Sequence, residues 1–520
     1  MGNIGKRRRL LKAALAAPIV STVGAGKAVF AQPLPTLRVI GPWELSSLDP
    51  LRNGYLFSRM QVTETLVDYD AAGVPVAGLA AGWQMSPDGL QWRFALRPGA
   101  RFHDGTPVMA SDVVAALGRA RHAAGVLGAA PIAGIDAEAD AEADAVHIRL
   151  ARPFAPLLAL LSHSSTQVLA PASFGADGTV RAIIGSGPYR VTELAPPQHF
   201  AVEAFDGWHG ARPAVTHAEY LSVGRAEMRA LMAEAGQAHL AYGLDPGSIA
   251  RLQRGRAVAV HAVTVPRTTL LKLNASHPLL ADVRVRRALA LALDRRGIAS
   301  AILRDPSLAA GQLFPPALPA WHDPRLPALG YDPAAARGLL AEARFRPDAD
   351  GVLRRGPDRL ALTLRTFPDR PELPVIAAAI QEQWRQAGVA VRVAVGNSSD
   401  IPFGHRDGTL EVGLLARNFG VVPDAFGAVA QDFAGQGGDW GPMRWSSPVV
   451  TAALAALPST PEGPRAEALR RQVADTLHDA MPLIPVVWYR QTLAASPRLA
   501  GVSIDPFERS YRLTQLQWKT

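Results

Sequence analysis

The sequence predicts an α/β protein of several lobes, and three observations carry that expectation. The chain has 520 residues, and at roughly 100–200 residues per domain that suggests about three domains. It is 48% apolar and 19% charged, enough apolar surface to build cores and too much for general disorder. Segments that alternate with period two are mixed with segments of helical spacing, without strict βαβ alternation. That mixture argues for an α+β or α/β assembly of lobes. No region repeats with a fixed short period, so a solenoid is not expected.

The first element is an address. Lys6–Lys12 reads KRRRLLK, an Ala-rich apolar run extends from Ala13 to Val23, and AVFA at Ala28–Ala31 precedes Gln32. This is a charged start, a short apolar stretch and a cleavage site after Ala31. The run is about half the ~20 residues that span a bilayer, and Pro18, Gly24 and Gly26 weaken it further as a membrane helix. The stretch Arg7–Lys12 resembles the twin-arginine export signal, with Leu10 where that signal prefers Phe; an ordinary secretory signal is the alternative. Either sends the chain across the inner membrane. The chain has no Cys, which excludes disulfides, thiolate metal sites, a Cys nucleophile and a lipidated N-terminal Cys. A periplasmic protein without a lipid anchor is expected.

The formal charge of +9 needs the same division. Six basic residues and no acid lie in 1–31, so the remainder carries only +3. Lys272 and Lys519 are its only lysines. No basic stripe with interleaved aromatics is present, which argues against nucleic acid as a partner.

Along the rest of the chain, Thr36–Ile40 alternates and reads as a strand, and Ser58–Val67 has helical spacing before a turn at Asp70–Gly73. Gln91–Leu96 reads as a hairpin strand between turns at Ser86–Gly89 and Pro98–Gly99. Ser111 is placed to cap a helix running to about Arg121. Ala145–Leu150 and Val263–Leu273 read as strands. Arg284–Leu303 is the clearest amphipathic helix, with Val285, Leu289, Ala292, Leu293 and Ile298 on one side. Helices are expected at Pro333–Ala343, at Val375–Ala387 with a stop at Gly388, and at Pro464–Ala480 before Pro482; Val389–Val395 reads as a strand.

Motifs for enzyme chemistry are missing: no H-E-x-x-H, no G-x-x-x-x-G-K-[ST] and no G-x-S-x-G occurs. His103-Asp104 could be imagined as a metal pair or an acid–base dyad, but within the run HDG it reads as a polar tight turn. The histidines show no ligand spacing. No catalytic residue, metal site or cofactor is expected.

Several segments, in order, match one family. Gly78–Pro107 (GLAAGWQMSPDGLQWRFALRPGARFHDGTP) followed by Met109–Val114 (MASDVV) resembles the signature of the extracytoplasmic solute-binding proteins of family 5, the peptide- and nickel-binding group of ABC importers. Leu48–Pro50, Glu64–Asp70 (ETLVDYD), Gly185–Val191 (GSGPYRV), Phe205–Pro213 (FDGWHGARP), Asp282–Asp294, Leu329–Ala343 and Met481–Ala494 are similar to further family segments. The likeness covers essentially all of 36–520.

The resemblance implies a two-lobed periplasmic-binding-protein fold with an extra subdomain in the first lobe and two crossing strands, near Val263–Leu273 and near Thr492–Val502. After an export signal at 1–31, the first lobe would take 32–60, 181–265 and 500–520, with the extra subdomain at 61–180; the second lobe would take 266–499. A small solute or peptide would bind in the interlobe cleft and pass, chemically intact, to permease subunits of an ABC importer in the inner membrane. A monomer is expected. The alternatives are a periplasmic hydrolase on the same fold, or a chaperone or sensor that touches a membrane receptor.

The ligand is read from one departure. In the peptide-binding branch a segment resembling "GW..DYPDP" supplies an Asp for a free α-amine. Here the stretch is Ala416–Phe426 (ARNFGVVPDAF), and that position falls on Val421 or Val422. Asp424 could substitute only along a different backbone path. Arg417 and Asn418 instead offer donors that suit a carboxylate or another polar solute; a salt bridge is the alternative role for Arg417. By the same resemblance Trp43 would form an apolar wall and Glu44 would pair with a cation. Tyr55, Arg267, Phe419 and Trp440 complete the candidate lining, with burial in a core as the alternative for the aromatics. A nickel chelate finds no local His cluster; His405 is the only histidine near that segment in sequence.

Overall fold

The computed structural model describes residues 35–520 apart from 53, 124–125, 140–143, 369, 421, 435–437 and 520. The export segment 1–31 and Val421 therefore lie outside the described residues.

A ten-stranded sheet forms the frame. Its strands run in the order Ala390–Val395, Ala361–Thr366, Val412–Asn418, Ala259–Leu273, Leu483–Ala495, Leu240–Tyr242, Leu37–Gly41, His217–Ser222, His199–Ala204 and Tyr189–Ala195. The two central strands are the longest, at 15 and 13 residues, and pair antiparallel. Their ladder comes in two pieces. Ala259–Thr264 pairs with Ala495–Arg490, and Thr268–Lys272 pairs with Trp488–Leu483. Between them lie Val265, Pro266 and Arg267, and Pro266 has no N–H to give to a ladder. The first piece is flanked by Leu240–Tyr242 and the second by Val412–Asn418. Within the sheet, its two halves are thus joined through these two strands.

Each half has its own core. One apolar cluster gathers Leu270, Val285, Phe314, Trp384, Leu414, Ile484 and their neighbours; another gathers Leu37, Phe57, Tyr189, Tyr220, Leu493 and Leu513. Every residue from Val265 to Leu273 is buried, as expected of a strand covered on both faces. A separate four-stranded sheet, in the order Ala80–Met85, Gln91–Leu96, Asp144–Leu150 and Ile132–Ala139, carries a third core. Phe94, Leu96 and Phe102 pack there with Val113 and Leu117 of the helix Ala110–His122. The turn at His103-Asp104 is polar and tight. Asp104 Oδ1 accepts from Thr106 N (2.9 Å) and Oγ1 (2.6 Å), and Gly105 takes φ +87°. Burial pushes His103 down to about 4, and its Nε2 lies 3.0 Å from the Gly187 carbonyl.

Three expected elements differ. The helix Ala110–His122 begins before Ser111; Asp112 reaches back to accept from Met109 N (2.9 Å), so no hydroxyl cap is needed. In place of a helix at Ser58–Val67 there is a short one at Tyr55–Arg59, ended where Gln61 takes φ +56°. Thr63 then bonds Gln167 (2.5 Å), and the chain extends into the strand Val67–Tyr69. The amphipathic segment Arg284–Leu303 breaks into Val283–Leu291 and Arg295–Ile302. Asp294 caps the second piece by accepting from Gly297 N (2.8 Å), while its own N–H is captured by Gln383 (2.9 Å). The second central strand runs to Ala495, inside the segment 492–502 where a crossing was expected, and Leu499-Ala500 then pairs with Gln517-Trp518.

Lys272 is fully buried. Its Nζ donates to the Asp439 carbonyl (2.6 Å) and lies 2.5 Å from His405 Nδ1. Burial pulls Lys272 down to about 7 against the opposing pull of Asp432 and Asp439. Between about pH 7 and about pH 10 the unfolded chain therefore holds a proton on this lysine that the folded chain lacks, and stability rises with pH through that window. Lys272→Met should flatten this rise. Urea melts of both proteins across the window check it.

Candidate ligand-binding site

A cavity of 760 Å³ lies where the first half of the sheet, the four-stranded sheet region and the C-terminal tail meet the central strands. Small-molecule sites occupy roughly 300–1,000 Å³. Most of the wall comes from segments in 50–78, 162–165, 208–210 and 507–510; Arg267, Asn418 and Gly420 close it from the central strands. Arg267 stands at the ladder break, opposite Asn418 in the register.

The tail is shaped by Asp505. Its Oδ1 accepts from Phe507 N (3.1 Å), and its Oδ2 from Arg509 N (3.0 Å) and Ser510 N (3.1 Å). The wrapped loop holds Glu508 at φ +56°, a conformation that a non-glycine residue adopts only where its surroundings fix it. Glu508 Oε2 takes a hydrogen bond from Arg267 Nη2 (2.5 Å), and its carbonyl takes one from Arg59 Nε (2.8 Å). Arg59 lies over the rings of Trp43 (4.3 Å) and Tyr55 (4.8 Å), and Arg267 and Arg370 both lie over Tyr489 (4.9 and 4.8 Å). Burial alone would raise the Glu508 carboxyl; Arg267, Arg59 and Arg370 together hold it below its ordinary value.

Positive charge is in excess. Arg52, Arg59, Arg97, Arg267 and Arg509 line the cavity against Glu64, Asp68 and Glu508. Several lining side chains also carry buried polar atoms with no hydrogen-bond partner among the described residues: Arg267 Nε and Nη1, Arg509 Nε, Glu64 Oε2 and Trp208 Nε1. Buried polar atoms are nearly always paired, at a cost of about 1–3 kcal/mol when they are not.

Of the residues expected from sequence, Tyr55, Arg267 and Asn418 line the cavity. Asn418 Oδ1 also accepts from Gly420 N (2.9 Å), which turns the chain there. Arg417 does not line it. Neighbours on a strand face opposite ways, and Arg417 is bound on the other side by Asp432 through two bonds of 2.6 and 2.8 Å. The salt bridge, not the ligand donor, is its place. Phe419 is fully buried and meets Phe314 edge-on at 5.3 Å. Asp424 does not line the cavity; it accepts from Phe426 N (2.8 Å), and burial raises its carboxyl above the usual range. Trp43 stands behind Arg59, Glu44 is exposed, and Trp440 packs on the core of the second half. Sequence reasoning missed Arg59, Glu64, Trp208, His209, Glu508 and Arg509 as cavity residues. Glu64, Trp208 and His209 lie inside segments noted only for their family likeness, and nothing local in 505–510 points to a ligand.

The decisive match is of sequence. Residues 74–439 fit the family described as bacterial extracellular solute-binding proteins, family 5 Middle. The chain belongs to that family. Among its family 5 relatives, the nickel-binding periplasmic protein of Escherichia coli K12 is 25% identical over 483 residues, covering 89% of this chain and 90% of that one. The glutathione-binding protein GsiB of Salmonella typhimurium is 26% identical over 448 residues, covering 82% and 83%. NikA from Brucella suis, solved in complex with Fe(III)-EDTA, superposes with a TM-score of 0.85 at 23% identity, over 93% of this chain and all of that one. The fold is therefore that of the two-lobed periplasmic binding proteins. These relatives are binding proteins, and the hydrolase alternative finds no support among them.

Glu508→Gln would leave three arginines around a neutral side chain, and breaking a buried pair this way costs about 3–5 kcal/mol. Because its carboxyl is held low, Glu508 stabilises the fold above its ordinary value near 4.5 and loses that contribution as pH falls through the lowered value. The variant should be less stable near neutrality and should converge on the wild type in acid, as urea denaturation at the two pH values will show.

Proposed function

We propose that this family 5 protein is the periplasmic receptor of an ABC importer, and that it captures a small organic solute bearing a carboxylate or similar anionic group. The observation that carries the reading is the arginine excess at the crossing of the central strands. Three guanidinium groups converge on Glu508, and five arginines line the cavity against three acids. Arginine presents paired donors that match a carboxylate, and such charge-assisted bonds are stronger than neutral ones.

The lobes in this reading are the first, 32–60 with 181–265 and 500–520; its extra subdomain, 61–180; and the second, 266–499. The breaks at Thr264–Thr268 and Trp488–Arg490 serve as the hinge. Closure around the solute distinguishes loaded from empty receptor for the permease. Delivery needs no bond to be made or broken, so the solute leaves unchanged. No helix of the described residues is long and apolar enough to cross a membrane, and the basic start with its short apolar run supports export and cleavage near Ala31. Among the described residues no three His, Asp or Glu side chains are placed to hold a metal ion. A metal cargo would accordingly arrive inside its own chelate.

Protein purified from its own periplasm should release a solute with at least one anionic group, identified by native mass spectrometry. Arg267→Gln should weaken binding of that solute by about tenfold or more, read by calorimetry. A neutral or purely cationic solute, or unchanged affinity in the variant, would remove this reading.

A further inference from the structure

The four-stranded sheet region meets two stretches that are distant from it in sequence and lie outside the cavity. The first follows the strand Val412–Asn418. Val422, 4% exposed, belongs to the third core together with Phe154, Leu157 and Leu160. Phe426 opens the helix Phe426–Phe433 and meets Phe154 edge-on at 6.4 Å. It packs both on the third core and on the core of the second half, so one ring bridges the two. Beside it, a Cβ on Gly427 would sit 3.9 Å from Leu160 Cδ2. The second stretch is the turn Leu457–Ser459, where the Pro458 carbonyl accepts from Ala155 N (2.8 Å). None of these residues lines the cavity.

The third core is tied to the first half of the molecule. His103 N donates to the Gly185 carbonyl (2.8 Å), and Gln167 Nε2 donates to the Gly54 carbonyl (3.1 Å). The contact at Val422 and Phe426 must therefore part whenever the halves move apart. It is mostly apolar. Its stabilisation comes from area removed from water and from the ring pair, and neither depends on what the cavity holds. Asp424 sets the approach by accepting from Phe426 N (2.8 Å).

We propose that Val422, Phe426 and Pro458 form a latch that holds the two halves closed from outside the binding cavity. They are positioning residues for capture: they set the balance of open and closed forms without touching the solute. Only the closed form grips from both sides, so the apparent affinity falls in proportion as the closed fraction falls. The proposal rests on the hinge closure of the reading above and not on the charge of the solute.

The chain has no Cys, so spin labels can be attached at chosen positions of the full mature chain. The parent protein carries Gln84→Cys on the strand Ala80–Met85 and Gln472→Cys on the helix Pro464–Ala480, both exposed. Pulsed electron spin resonance then reads the distance between the two sides. One short distance should dominate in the parent. Phe426→Ala removes the bridging ring, and Gly427→Arg drives a charge against Leu160 while removing no side chain. Each should raise the long-distance fraction about tenfold or more, and Phe426→Leu should keep the short distance. Variants that keep the parent distribution overturn the latch, as does a parent already dominated by the long distance. Should Phe426→Ala fail to fold, Gly427→Arg decides. Loss of the fold in both makes the contact part of a fixed core and overturns the latch too. The measurement uses no solute, so none of these outcomes touches the anion reading, which the solute released from the periplasmic protein decides.

Discussion

Arg267 occupies the stretch where the two central strands stop exchanging hydrogen bonds, and its pairing with Glu508 ties that stretch to the C-terminal tail. Much else follows from this contact. Pro266 interrupts the ladder, so the backbone is free to bend there. The guanidinium beside it is buried and needs a counter-charge. Glu508 supplies it from a loop that Asp505 has wrapped into shape. The same carboxylate is electrostatically coupled to Arg59 and Arg370, which lean on Tyr55 and Tyr489. Ladder break, tail and cavity floor are thus one electrostatic unit.

The frame was largely legible in the sequence. Turn glycines, alternating strands and the helix Pro464–Ala480 were where the pattern put them, because local chemistry decides such elements. The misplacements have a common cause. Asp294 and Gln383 cut a continuous amphipathic pattern in two, and Thr63 with Gln167 drew a helical pattern into extended chain. In both, a long-range hydrogen bond overrode a local period.

The site was less legible, for a geometric reason. Arg417 and Asn418 are adjacent, and chemistry alone favours the arginine as the ligand donor. Strand alternation assigns the cavity to Asn418 and hands Arg417 to Asp432. Which face is which depends on pairing partners that a sequence does not display. The cavity also draws on segments separated by hundreds of positions, as the 449-residue span between Arg59 and Glu508 shows.

That span has a temporal side. Ribosomes lengthen chains from the N-terminus, so Arg59 and Arg267 exist long before their carboxylate is translated. Every nascent intermediate short of Glu508 carries, beside the break in the central ladder, a guanidinium group without that carboxylate. The contact that ties the central strands to the tail therefore forms only once nearly all of the chain has been synthesised.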